Sequence, residues 1–438
     1  MSKISLQHVY KSFQKDTYVI DDISLEIFDD EFLVLVGPSG SGKTTTLRMI
    51  AGLEEMTKGN LYIDNRIQND EDPSTRKLSF VFQNYALLPN LTVYENIEFG
   101  LLNKQMNQLE KKKTVEETAI KLSLYEKLNS YPNQLSGGQR QRVALARALV
   151  DQSSLVLFDE PLSNLDAVLR EEMRTELITL QKMFRMTCIY VTHDQIEAMA
   201  MASRIVLMME GKIVQVGTPY QMYHDPMHLD VVTFMGTPEA NVLTVEYKDG
   251  LLYTQGSKMI YNQEIAKLMK KHKIDKGHIA IRPKDLVVYH QQSDYRISGT
   301  LVAVEHYGLN KLLHIEALGQ TFRAVVDRDF EEKIQVYLDF KGHALLFNQD
   351  KKRVLDTVQT KIIIDDQPKD YEHLQIVNEL QNYGYEIDYD EKNADLKIDE
   401  KNKIYTYTQN KKEIQLKDLK DVFTYVHYIK ACLADKEI

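Results

Sequence analysis

The stretch that most restricts what this chain can become is EFLVLVGPSGSGKTTTLRMIAGL (31–53). Its opening apolar run is short and ends at Gly37-Pro38, as a fully buried strand does. TTTLRMIAGL then has the composition and length of a helix. Between them GPSGSGKT (37–44) fits G-x-x-x-x-G-K-[ST], in the strand–loop–helix setting that such a loop needs. Gly37, Gly40 and Gly42 let the backbone curl around Pro38, Ser39 and Ser41. Its N–H groups then converge with those of Lys43, Thr44 and Thr45 on one point at a helix N-terminus. That is a phosphate cradle. Lys43 brings a point charge to the β- and γ-phosphates, and the Thr44 hydroxyl is a Mg²⁺ ligand. A plain Gly/Ser turn would not need strand, motif and helix in register.

Two further buried strands, SLVLF (154–158) and TCIYVTH (187–193), are separated by helical patterns. Apolar strands alternating with helices give a mostly parallel sheet covered on both faces. In such a sheet ligands bind beyond the carboxyl ends of the strands. SLVLFDEP puts two carboxylates there. Asp159 is placed to hold Mg²⁺, and Glu160, pointing elsewhere, to orient or deprotonate an attacking water. Beside Pro161 both could instead be helix-capping acids. His193 ends the third strand in the same crevice, within reach of a γ-phosphate. A lone histidine at a strand end is usually structural, and its place in this sheet is what favours function. Gln83, in FVFQNYALLP (80–89), leaves an apolar strand for a loop. There it is either a Mg²⁺ ligand or an ordinary polar loop residue.

LSGGQRQRVALARAL (135–149) raises a different question, because two adjacent glycines start a helix poorly unless the turn has a task. The Ser136 hydroxyl and the N–H groups of Gly137 and Gly138 form a second anion site at a helix N-terminus. Two cradles with one set of magnesium carboxylates imply two half-sites, completed by a second copy of the chain.

These motifs resemble the ATP-binding subunits of ABC transporters, for which LSGGQ is the signature. In that family two subunits pair head to tail and bury two ATP molecules. Each ATP lies between one subunit's P-loop and the other's signature turn, here Ser136, Gly137, Gly138 and Gln139. SNLD (163–166) matches the loop that links the two sites, so Asp166 is expected beside nucleotide. Phe13 matches the aromatic position that stacks on adenine, with Tyr18 a weaker candidate. VFQNYALLPNLTVYENIEFGL, YVTHDQIEAMAMASRIVLM and GKIVQVGTPYQMYHDP are similar to the carbohydrate-importer subfamily. The resemblance implies a homodimeric ATPase using ATP and Mg²⁺, bound peripherally at the cytoplasmic face of the plasma membrane. Its partners would be two membrane permease subunits and, indirectly, a solute-binding protein. Polyamine, glycerol-phosphate or inorganic-ion import is the alternative cargo. A soluble ABC protein of translation or DNA repair would carry two ATPase halves or long coiled coils, and this chain has one P-loop.

The expected fold is a P-loop α/β nucleotide-binding domain (1–236) with an inserted helical subdomain at about 85–150. An OB-like β-barrel domain (237–350) follows, its marker IRPKDL (281–286), and then a small C-terminal α+β domain (351–438). Composition narrows the setting. A net charge of −10 opposes nucleic-acid binding, which needs a basic face. Two distant cysteines, Cys188 and Cys432, suit a reducing cytosol. No apolar run suits a signal peptide or a membrane span. Residues 351–438 hold one glycine and one proline and are rich in tyrosine and isoleucine, unlike a linker. KIIIDD, YEIDYD, ADLKID and KIYTYT read as strands, the last three as a meander. Helices are expected at 371–384 and 416–433, the second with Leu419, Val422, Val426, Ile429 and Leu433 on one face. This β-α-β-β-β-α unit is expected to be a regulatory or docking module without a catalytic motif.

Overall fold

The structure, a computed structural model, describes residues 2–355 except 16, 103, 152, 255–258 and 341. Beyond 355 it describes five strands. The chain divides into two compact units, Met1–Pro226 with Phe234–Gly236, and Met227–Thr233 with Thr237–Ile438.

The first unit runs β1 (Ser2–Gln14), β2 (Thr17–Phe28), β3 (Phe32–Val36), α1 (Lys43–Ala51), β4 (Lys58–Ile63), β5 (Arg66–Ile67), β6 (Ser79–Val81), α2 (Val93–Glu98), α3 (Gln108–Lys121), α4 (Gly137–Leu149), β7 (Leu155–Asp159), α5 (Ala167–Phe184), β8 (Thr187–Thr192), α6 (Gln195–Met201), β9 (Arg204–Met209), β10 (Lys212–Gly217) and α7 (Pro219–His224). The order β2-β1-β4-β5 makes an antiparallel sheet, and β10-β9-β3-β8-β7-β6 makes the central one. From β9 to β6 every pairing is parallel, and β10 is antiparallel to β9. All of β3 and β8 is buried, which is why their sequences are apolar without alternation. Helix α1 lends Leu47, Ile50 and Ala51 to one core with Ile4, Leu6 and Ile27 of the first sheet and Leu35, Leu157 and Ile189 of the second. The N-terminal 30 residues form two long strands whose pairing is interrupted by register shifts.

In the second unit the chain continues through α8 (Leu229–Phe234), β11 (Asn241–Lys248), β12 (Leu251–Thr254), β13 (Met259–Ile260), α9 (Gln263–Lys271), β14 (Lys276–Ile281), β15 (Val287–Tyr289), β16 (Ile297–Tyr307), β17 (Asn310–Ala317), β18 (Gln320–Asp327), β19 (Gln335–Asp339) and β20 (Ala344–Phe347). It holds two five-stranded antiparallel sheets, β13-β12-β11-β14-β20 and β15-β19-β16-β17-β18. They share a core of Val245, Ile279, Leu313, Phe322 and Leu338. The Val325 N–H donates to Pro283 O at 2.9 Å, so the outer strand β18 curls back toward the segment leading into β15. Residues 227–233, expected with the first domain, belong here because Leu229 and Val232 pack with Ala280, Leu345 and Phe347. Helix α9 was not anticipated. Only Ile265 and Met269, four residues apart, are buried on it, and the rest of QEIAKLMKK reads as a polar connection.

Beyond residue 355, β21 (Lys361–Ile364), β22 (Glu386–Asp388), β23 (Leu396–Asp399), β24 (Ile404–Tyr407) and β25 (Lys412–Gln415) form a sheet of order β22-β21-β23-β24-β25. The expected meander over the last three predicted strands is corrected. β22 pairs in parallel with β21, and the antiparallel run is β23-β24-β25, its last strand unpredicted. A parallel neighbour needs a crossover, and the 21 residues between β21 and β22 are long enough for one. The helices expected at 371–384 and 416–433 lie outside the described residues.

Candidate nucleotide site

Strand register builds this site. Val36 lies opposite Thr192, Asp159 opposite Val191 and Val81 opposite Phe158. Four parallel strands therefore end along one edge. The P-loop, His193, the Asp159-Glu160 pair and the loop carrying Gln83 leave from that edge side by side.

The P-loop turns into α1 at Gly42, whose φ of 97° is left-handed. A Cβ there would lie 2.4 Å from Ile20 Cδ1 and 3.0 Å from Val19 O, so conformation and space both require glycine. Pro38, Ser39 and Gly40 form the exposed tip, and Ser41 is buried. Lys43 is 5% exposed. Its ammonium donates to Gly37 O at 2.9 Å and Pro38 O at 2.8 Å, with Ser41 Oγ at 3.4 Å. Burial pushes its pKa down, against the opposite pull of Glu160 and Asp159. A buried cation held only by neutral oxygens gains most from an anionic phosphate. Thr45 stands half-buried on the first turn.

Thr44 Oγ1 donates to Asp159 Oδ1 at 2.9 Å, which brings two of the three expected magnesium ligands together. Burial raises the Asp159 pKa, opposed chiefly by that hydrogen bond. Glu160, with φ 44°, turns away from its neighbour. Its Oε2 stands 3.3 Å from His193 Nδ1 and 3.4 Å from Gln83 Nε2. Gln83 Nε2 also reaches Ser163 Oγ at 3.4 Å, and Asn164 Nδ2 donates to Gln83 O at 3.0 Å. Lys43, Thr44, Gln83, Asp159, Glu160 and His193 are thus gathered, as the sequence suggested. Phe13 is 58% exposed, with the Lys11 ammonium 4.7 Å from its ring centroid. The register Lys11↔Ile20 and Ser12↔Tyr18 brings this end of β1 alongside the Ile20 that lies against Gly42. A base stacked on Phe13 would therefore adjoin the phosphate loop. Tyr18 instead packs edge-on against Tyr10 at 5.5 Å.

Ser136 caps α4 reciprocally. Its Oγ accepts from Gln139 N at 3.3 Å, and Gln139 Oε1 accepts from Ser136 N at 3.0 Å. Gly137 and Gly138 open the helix, where N–H groups have no intrahelical acceptor. A Cβ on Gly138 would meet Leu169 Cδ1 at 2.9 Å, and one on Gly137 would meet Leu165 Cδ2 at 3.3 Å. Among the described residues no hydrogen bond joins Ser136, Gly137 or Gly138 to the P-loop cluster. Asp166 stands apart too, because its side chain caps α5 by accepting from Leu169 N at 3.0 Å.

Sequence reasoning missed the supports. Arg147 donates to Tyr85 O and Ala86 O, both at 2.8 Å, and so ties the Gln83 loop to α4. Both carbonyls belong to left-handed residues, and nothing in ALARAL marks its arginine as their partner. Leu165 and Leu169 back the signature glycines from a stretch read only for its polar residues.

The family model described as "ABC transporter" matches residues 20–163. The oligosaccharides import ATP-binding protein MsmX of Bacillus subtilis is 42% identical over 358 residues, covering 78% of this chain and 97% of that one. The multiple sugar-binding transport ATP-binding protein MsmK of Streptococcus mutans is 43% identical, with the same coverage. The sn-glycerol-3-phosphate import ATP-binding protein UgpC of Jannaschia sp. is 42% identical over 81% of this chain and all of its own length. The chain belongs to the ABC transporter ATP-binding subunits. It is an ATPase. No helix among the described residues is long and apolar enough to cross a membrane.

Proposed function

We propose that this ABC subunit energises import of sugars or oligosaccharides as a homodimer, peripheral to the cytoplasmic face of the plasma membrane and bound to two permease subunits. A solute-binding protein delivers the cargo to those subunits. The observation that carries the dimer is the separation of the two anion sites. Lys43, the Thr44–Asp159 pair and Glu160 with Gln83 and His193 lie along one sheet edge, and no hydrogen bond among the described residues joins the Ser136–Gly138 turn to them. Each ATP then takes the P-loop of one chain and the signature turn of the other. Glu160 aligns the attacking water, His193 contacts the γ-phosphate, and Phe13 stacks on the adenine. Thr44, Gln83 and Asp159 offer only oxygen ligands, the set Mg²⁺ prefers. Bound there, the ion would neutralise charge on the β- and γ-phosphates. Asp166 acts next to the shared site through its loop rather than by touching nucleotide. The cargo follows the names of MsmX and MsmK; the equal identity to UgpC favours glycerol phosphate as the second reading. The curled sheets of the second unit form an OB-like regulatory domain, and residues 351–438 form a separate docking or regulatory module.

Complementation tests the shared site. Lys43→Ala and Ser136→Arg homodimers each carry two damaged sites. Mixing the two chains makes one intact pairing per heterodimer, so ATP-dependent dimerisation returns in the mixture. A mixture as monomeric as its components refutes sites formed in trans.

A further inference from the structure

Arg170, on the first turn of α5, spans three segments with one guanidinium. Nη2 donates to Leu165 O at 2.9 Å. Nη1 stands 3.9 Å from Asp194 Oδ2, and Nε stands 3.9 Å from Glu197 Oε1. At that distance neither contact is a hydrogen bond. Nε is sealed from solvent and bonds nothing. Glu197 is itself buried, at 4% exposure. Its Oε2 is taken by the Tyr190 hydroxyl at 2.9 Å and Thr192 Oγ1 at 2.8 Å. A buried donor facing a buried carboxylate oxygen, about 1 Å too far to bond, is costly as it stands and becomes a charge-assisted bond on a small approach.

Its neighbours say what would drive that approach. Leu165, whose carbonyl Arg170 holds, packs against Gly137, and Leu169 packs against Gly138. Glu197 grips the last residue of β8, Thr192, directly before His193, whose Nδ1 faces Glu160. One contact chain therefore runs from the signature turn, through Leu165 and Arg170, to Glu197 and the His193 loop.

We propose that Arg170 is a positioning residue whose ion pair with Glu197 closes when nucleotide engages the signature turn, setting the His193 loop of the same chain for hydrolysis. This rests on the signature turn serving the partner's ATP. In the open arrangement the guanidinium holds the Ser163–Asp166 turn alone. In the closed arrangement it also holds the helix behind His193, so the two sites of a dimer are read together. Two discrete arrangements of one pair are the element that such coupling requires.

The test is a double-mutant cycle in the full chain at saturating ATP and magnesium, with Arg170→Lys, Glu197→Gln and both. Lysine keeps the charge but cannot bond Leu165 O and Glu197 at once. Each single variant is expected to lower kcat at least tenfold, with ATP Kd within twofold of the unmodified chain. The double variant is expected within twofold of the worse single. A double loss equal to the product of the singles, or an Arg170→Lys chain with near-normal kcat, overturns the proposal. If Arg170→Lys does not fold, Arg170→Met, which keeps the apolar stem, enters the same cycle under the same criteria. The Lys43→Ala and Ser136→Arg mixture run alongside separates the two levels. A mixture that stays monomeric with ATP removes the shared site, whereas restored dimerisation with a normal Arg170→Lys chain removes only this coupling.

Discussion

Replacing Glu160 by glutamine changes one oxygen to an amide and nothing in volume, so packing does not obscure the result. The carboxylate touches two groups, His193 Nδ1 at 3.3 Å and Gln83 Nε2 at 3.4 Å, and it leaves the sheet through a left-handed residue that aims it away from Asp159. Glutamine keeps the reach but loses the base, and its amide turns a donor toward the water it should orient. General-base assistance is worth about 10²- to 10⁴-fold, or roughly 3–5 kcal/mol of barrier at 1.36 kcal/mol per decade. Most catalysis of phosphoryl transfer is positioning of this kind. Nucleotide affinity is expected to hold or tighten, because one negative charge leaves an anion site. Single-turnover hydrolysis of labelled ATP gives the rate, and gel filtration with ATP shows whether a nucleotide-bound dimer accumulates. Turnover within threefold of the unmodified chain would refute the role given to Glu160.

Two further changes probe the nucleotide pocket. Gly42→Ala places a methyl 2.4 Å from Ile20 Cδ1 at a φ of 97°, so ATP binding is expected to fall below detection by calorimetry; binding within tenfold of normal would show that the loop yields. Phe13→Ala removes an exposed ring that the fold does not need, so the melting temperature should hold while ATP Kd rises about three- to tenfold, the worth of one aromatic stacking contact of ~0.5–1.5 kcal/mol; an unchanged Kd moves the base elsewhere.

Some of this molecule is written locally and some is not. The P-loop is legible because one short segment supplies strand, turn and helix start together. The carboxylates and His193 are legible because parallel strands that end together deliver whatever follows them to one edge. Helix α9 is hidden because two buried residues suffice to hold it. The pairing of β22 with β21 is hidden because a strand's pattern does not name its neighbour. Asp166 shows a limit of another kind: a family motif marked its position, while the side chain itself is committed to capping α5.

The signature turn gathers both kinds of information. Its glycine pair is read easily as an anion cradle, since the N–H groups at a helix start point outward without partners. In the proposed dimer that account explains why the turn is small on the side that would face nucleotide. It does not explain the close packing on the other side. There Leu165 and Leu169 press against the two Cα atoms, and a methyl on Gly138 would come within 2.9 Å of Leu169. The same two leucines flank Asp166, the cap that starts α5, and they precede Arg170, the guanidinium that reaches toward the His193 loop. A bulkier residue at Gly138 would therefore act in two directions. In the proposed dimer it would crowd the partner's phosphate, and in its own chain it would press on Leu169 of α5. In the proposed dimer, the small pair lets one turn serve the partner's site while it stays in contact with Leu165 and Leu169 of its own chain.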